Sequence, residues 1–198
     1  SWLQRAGEGT AVVLDFENIH VQYGRKEILH GVDLSVEKGK TLGIVGESGC
    51  GKSMTAMSII KLLPKTASIK GGKILFKNKD ILELDSKHTR ELRGSHIALI
   101  PQDPMTSLNP LYTVGNQLLE IIKLHQNLKG NDAKKKAIEA LEMVQIPSAK
   151  ERFNQYPHEF SGGMKQRAII AMALACNAEF IIADEPTTAL DVTIQAQI

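Results

Sequence analysis

The stretch Gly46-Glu47-Ser48-Gly49-Cys50-Gly51-Lys52-Ser53 follows the pattern G-x-x-x-x-G-K-[S/T], and it narrows the possible folds more than any other part of the chain. The pattern works only where a strand delivers the loop and a helix leaves it. Glycines turn successive backbone N–H groups around phosphate oxygens, and the helix presents its N-terminus and positive dipole end to the anion. Both flanks are legible here. Thr41-Leu42-Gly43-Ile44-Val45 is an apolar run suited to a strand. Ala56, Ile59, Ile60 and Leu63 mark one face of a helix that Pro64 is expected to end. Gly46, Ser48, Gly49, Cys50, Gly51, Lys52 and Ser53 are therefore candidate ligands of a nucleotide's phosphates. Lys52 supplies a point charge for the β- and γ-phosphates, and Ser53 offers a hydroxyl to Mg²⁺, which takes few protein ligands.

Around this loop the pattern alternates. Residues 12–21 are strand-like, and Val32, Leu34 and Val36 alternate with polar residues as in a half-buried strand. Strands are also expected at 73–76 and 97–100, with a short helix near 87–93 between them. Such alternation builds a mixed or parallel sheet with helices on its faces. Between Asp103 and Glu159 the apolar residues fall at helical spacing instead, as with Leu118, Ile121 and Ile122, or Ala137, Ile138, Leu141 and Val144. A helical insertion is expected there, with Lys134-Lys135-Lys136 as a solvated face. After it, a small-residue helix runs to Cys176. Phe180-Ile181-Ile182-Ala183 then reads as a strand buried on both faces.

The expected organisation is an α/β nucleotide-binding domain over 10–198. Its core comprises 10–102 and 160–198, its helical subdomain 103–159, and residues 1–9 are set aside as a disordered or extraneous end. The formal charge of +2, from 24 basic and 22 acidic residues, gives no electrostatic argument for nucleic acid as partner. No apolar run approaches the roughly 20 residues of a membrane span. Two cysteines make neither a disulfide framework nor a metal site.

The strand at 180–183 delivers Asp184 and Glu185 at its carboxyl end, where ligands of open α/β sheets bind. Asp184 is placed to hold the Mg²⁺ of a P-loop enzyme. Glu185 faces the other way and can act as base or water orienter at the γ-phosphate. Ser161-Gly162-Gly163, just ahead of a helix, offers a second anion site, or else a plain helix cap.

In order and spacing, Tyr23, the 46–53 loop, Gln102, Ser161-Gly162-Gly163, Asp184-Glu185 and Ala189-Leu190-Asp191 resemble the ATP-binding cassette (ABC) ATPase family. The segments 101–110, 156–167 and 186–193 look like the ATPase subunits of bacterial dipeptide, oligopeptide and nickel importers. The resemblance implies that Tyr23 stacks on adenine and that Gln102 senses the γ-phosphate and Mg²⁺. It implies that Ser161 and Gly163 contact ATP bound to a second ABC ATPase subunit, identical or related, and that Asp191 couples the two sites. The helical subdomain would dock membrane permease subunits, which a solute-binding protein serves from outside. The ATPase would then be cytoplasmic and peripheral on the inner face of the membrane.

The chain departs from the family pattern in two places. Phe160 and Met164 stand where the common signature Leu-Ser-Gly-Gly-Gln has Leu and Gln. The family's γ-phosphate histidine lies on a strand beyond the Asp191 region, and none of the six histidines falls there. A C-terminally truncated domain is thus expected, with unpaired backbone at two inner sheet edges, closed by rearranged pairing or by oligomerisation. ATP hydrolysis driving solute import, above all of peptides, is the leading expectation. The rivals are nucleotide binding without turnover and an ABC ATPase outside transport. Cys50, beside the phosphates, is expected to react readily with thiol reagents when the site is empty.

Overall fold

The computed structural model describes residues 12–187 together with Leu190 and Gln195. The expectations for 1–9 and for Asp191 fall outside the described residues. The chain divides between Arg90 and Glu91 into two compact units.

In the first unit β1 (Val12–Tyr23) pairs antiparallel with β2 (Lys26–Glu37) on one edge and with β3 (Ala67–Phe76) on the other. The short β4 (Lys79–Asp80) completes the order β2-β1-β3-β4. Leu14 and Phe16 are buried on β1, and so are Ile19 and Val21, so the buried parity changes between 16 and 19. Strand faces alternate with period two, and only an inserted residue allows that change. The register of β1 breaks there against both neighbours, where Asn18 adopts φ 51° and its N–H donates to Asp33 Oδ1 at 2.7 Å. The bulge keeps all four side chains buried, along with Ile74, Phe76 and Ile81.

Two expectations for this unit are corrected. Residues 41–47 carry no regular secondary structure, and Leu42, Ile44 and Val45 are exposed, Val45 to 97%. An apolar run becomes a strand only when a neighbour pairs its backbone, and no described strand pairs with this one. Helix α1 (Lys52–Ile59) also stops short of Pro64. Lys61 turns the chain first, at φ 53°, with its Nζ donating to the carbonyls of Leu82 (3.0 Å) and Leu84 (2.9 Å).

Helix α2 (Ser86–Ser95), interrupted by non-helical backbone at Arg93 and Gly94, leads to β5 (Ile97–Ile100) in the second unit. There β5 pairs in parallel with β6 (Phe180–Ala183), residue for residue from Ile97↔Phe180 to Ile100↔Ala183. Between these strands lie α3 (Val114–Gln126), α4 (Gly130–Met143), α5 (Ala149–Arg152) and α6 (Gly162–Ala175). Thr113 caps α3, its Oγ1 accepting from the Asn116 N–H at 3.2 Å. Val114, Leu118 and Ile122 on α3 and Ala133, Ala137 and Leu141 on α4 are fully buried and spaced one turn apart. These stripes meet α6, whose alanines at 168, 171 and 175 allow close approach. Helices α3, α4 and α5 fall within 103–159, and Lys134, Lys135 and Lys136 are exposed.

Among the described residues the strands form two separate sheets where one mixed or parallel sheet is expected. The expected double-sided burial of β6 holds for Ile182, at 9% exposure, and fails for Ile181, at 40%. Among the described residues β6 has a ladder neighbour on one side only.

Gly115 shows how tightly α3 is seated. Its N–H donates to the Phe153 carbonyl at 2.9 Å. A Cβ placed on it would lie 2.5 Å from Phe153 Cγ and closer still to that carbonyl oxygen. Gly115→Ala is expected to destabilise the chain by about 1–3 kcal/mol despite the better helix propensity of alanine. A fall in the urea midpoint at unchanged slope checks this.

Candidate nucleotide site

The first unit carries the loop. Gly49 (φ 81°) and Gly51 (φ 104°) occupy left-handed backbone that side chains rarely adopt. Gly51 is held twice over, since a Cβ there would lie 2.6 Å from Leu29 Cδ2. It is also the N-cap of α1, so Lys52, Ser53 and Met54 form the helix's first turn, whose N–H groups have no intrahelical acceptor. Lys52 Nζ donates to the carbonyls of Gly46 (2.7 Å) and Glu47 (3.0 Å), which sets the ammonium at the rim of the loop. Gly46, Ser48, Gly49 and Cys50 are exposed, and Lys52 and Ser53 half-buried. Tyr23, at the end of β1, is 48% exposed.

The second unit carries the carboxylates. The parallel register continues past both strand ends, where the Asp184 N–H donates to the Ile100 carbonyl at 2.9 Å. Two residues beyond each end, Gln102 and Glu185 fall opposite one another, and Gln102 Nε2 donates to Glu185 Oε2 at 2.7 Å. Asp184 is half-buried and Glu185 exposed, with Glu185 at φ 50°. Ser161 is the N-cap of α6, its Oγ accepting from the Met164 N–H at 3.3 Å, and Gly162 and Gly163 open the helix. The two unusual residues of this signature, Phe160 and Met164, are buried in the hydrophobic core, whereas Ser161 and Gly162 are exposed. The departures thus serve packing and leave the exposed serine and glycine unchanged.

One residue escaped the sequence reading. Gln166, on α6, is only 1% exposed, and its Nε2 donates to the Pro186 carbonyl at 2.8 Å, directly after Glu185. The available signal was a glutamine set between Met164 and Ala168 on a helix buried almost all round.

The two cysteines differ in kind. Cys50 is exposed. Cys176 is half-buried, donates to the Met172 carbonyl at 3.3 Å, and burial pushes its thiol up from the ordinary range. An alkylating reagent is expected to label Cys50 first, and ATP to protect it. Equal labelling with and without ATP, read by mass spectrometry, would remove Cys50 from the site.

A glycine loop feeding a helix N-terminus, and an Asp-Glu pair at the carboxyl end of a parallel strand, define a P-loop nucleotide-binding protein. Residues 29–188 match the profile of the family described as ABC transporter, and the chain belongs to that family, as its ATPase domain. It is 54% identical over 192 residues to a probable peptide ABC transporter ATP-binding protein of Sinorhizobium fredii, covering 94% of this chain and 57% of that one. With the dipeptide transport ATP-binding protein of Bacillus subtilis the identity is 52% over 191 residues, again 94% of this chain and 57% of the other. The chain thus spans a little over half the length of these relatives. A dimeric ATP-binding cassette solved in a post-hydrolysis state with ADP and Pi matches at TM-score 0.82 and 29% identity, over 93% of this chain and 79% of that one. An ABC transporter component from Clostridium perfringens matches at TM-score 0.77 and 26% identity, over 95% and 71%. The fold class and the resemblance read from the sequence both stand.

Proposed function

We propose that this chain binds ATP and hydrolyses it to ADP and phosphate, as the energy-coupling part of a peptide importer. The observation that carries the reading is the loop itself, with the Lys52 ammonium held at its rim by two loop carbonyls. A phosphate oxygen is a stronger acceptor than either carbonyl, so Lys52 exchanges partners without rebuilding the loop. Tyr23 supports the base. Ser53, Asp184 and the amide of Gln102 offer only oxygen donors, which suits Mg²⁺. When bound, that ion neutralises charge on the phosphates. Water attacks the γ-phosphorus in line, the new P–O bond forms as the bond to the bridging oxygen breaks, and Glu185 takes the water's proton. Lys52 stabilises the charge that gathers on the leaving phosphate.

The peptide assignment rests on similarity, at about half identity, to ATP-binding proteins of peptide, dipeptide and oligopeptide transport. In this reading Ser161, Gly162 and Gly163 serve ATP held by a second ATPase subunit, and the 103–159 helices dock permease subunits on the cytoplasmic side of the membrane. No helix among the described residues is long and apolar enough to cross a membrane itself.

A second reading, ATP binding without turnover by this chain alone, is favoured by the irregular, exposed segment 41–47 that leads into the loop. Steady-state hydrolysis by the wild-type chain, Lys52→Ala and Glu185→Gln separates them. Turnover lost in both variants supports the enzyme, and binding with no turnover in the wild type supports the second reading.

A further inference from the structure

We infer that Gln166 is a positioning residue for Glu185, holding the backbone of the turn that carries the base while Gln102 holds its side chain. Glu185 is a non-glycine residue at φ 50°. A side chain persists in that backbone region only where its surroundings over-determine it. Two glutamines supply the constraint. Gln102, beyond β5, holds the Glu185 carboxylate at 2.7 Å, and Gln166, on α6, holds the next carbonyl, Pro186 O, at 2.8 Å. One fixes the side chain and the other the backbone.

The second contact is not explained by stability. Gln166 is 1% exposed, and its Oε1 is buried without a hydrogen-bond partner among the described residues. A buried acceptor left unmade lowers stability, and an apolar side chain of the same length would avoid that loss. What glutamine adds is a donor aimed at Pro186. Gln166 also stands between two ends of the chemistry, because α6 begins at Ser161-Gly162-Gly163, little more than one turn earlier. Resting on the function proposed above, this makes α6 the rigid element that transmits a displacement at the signature to the base.

The test uses the ¹⁵N-labelled chain and the side-chain amide resonance of Gln102, assigned by its absence from Gln102→Glu. Glu185→Ala marks where that resonance lies once the bond is broken. Gln166→Met keeps the length without the donor, and Gln166→Glu keeps the shape but sets an acceptor against Pro186 O. Both are expected to move the Gln102 resonance at least half way to its Glu185→Ala position, with Gln166→Met melting no lower than wild type. Both are expected to lower kcat about 10- to 100-fold with KM for ATP unchanged. A Gln102 resonance that stays at its wild-type position in Gln166→Met overturns the inference, whatever the turnover. A resonance that moves as expected in a chain whose wild type binds ATP but does not hydrolyse it leaves the positioning role standing and sinks the hydrolysis reading instead.

Discussion

Glu185→Gln is expected to lower kcat for ATP hydrolysis by about 10²–10⁴-fold, the range for loss of a positioned general base, while ATP still binds. The substitution is nearly isosteric. Glu185 receives the Gln102 Nε2–H at 2.7 Å, and the variant's amide oxygen still accepts that bond, though more weakly than a carboxylate. The turn beyond β6 keeps its shape, and what disappears is the ability to take the water's proton. Glu185 is exposed, so the melting temperature is expected to stay within a degree or two of wild type. Measuring kcat and the ATP dissociation constant on one preparation distinguishes this from misfolding. Turnover within threefold of wild type would exclude Glu185 as the base.

Lys52→Ala acts on the earlier step. Each charge-assisted hydrogen bond to a phosphate is worth about 1.5–3 kcal/mol, so losing the ammonium is expected to weaken ATP binding roughly 10- to 150-fold. The loop itself is expected to survive, because the bonds that Lys52 makes to Gly46 and Glu47 are exposed and water replaces them. Its shape depends instead on the positive φ of Gly49 and Gly51 and on the close seat of Gly51 against Leu29. Isothermal titration with ATP and Mg²⁺, beside a thermal melt, reads both quantities. Unchanged affinity would place the phosphates elsewhere.

Much of the candidate site is legible in the sequence, because its parts are local. A phosphate loop is eight consecutive residues, and its glycines are needed for backbone conformations within those same residues. Ser161 caps α6 through an N–H three residues away. Strands β5 and β6 were legible as short apolar runs bounded by Pro101 and by the Asp-Glu pair. Gln166 was harder to read. A glutamine in a helix says nothing about its partner, and Pro186 lies 20 residues on.

The run at 41–45 is the instructive failure. Its composition is that of a strand, but whether apolar residues form one depends on a neighbour, and in this fold no described strand pairs with them. In β6, too, Ile181 is 40% exposed although its apolar run reads as buried on both faces.

By itself, then, the sequence determined the chemistry on offer, namely Lys52 and Ser53 on a glycine loop, Asp184 and Glu185 at a strand end, and serine and glycines at the start of α6. Conformations fixed within a few residues depend only on those residues. The tertiary structure alone decided that Gln102 meets Glu185, that Gln166 grips Pro186, and that 41–45 forms no strand. The first two are pairings across many residues, set by the register of β5 on β6 and by the seat of α6, and the third follows from there being no described strand to pair with 41–45.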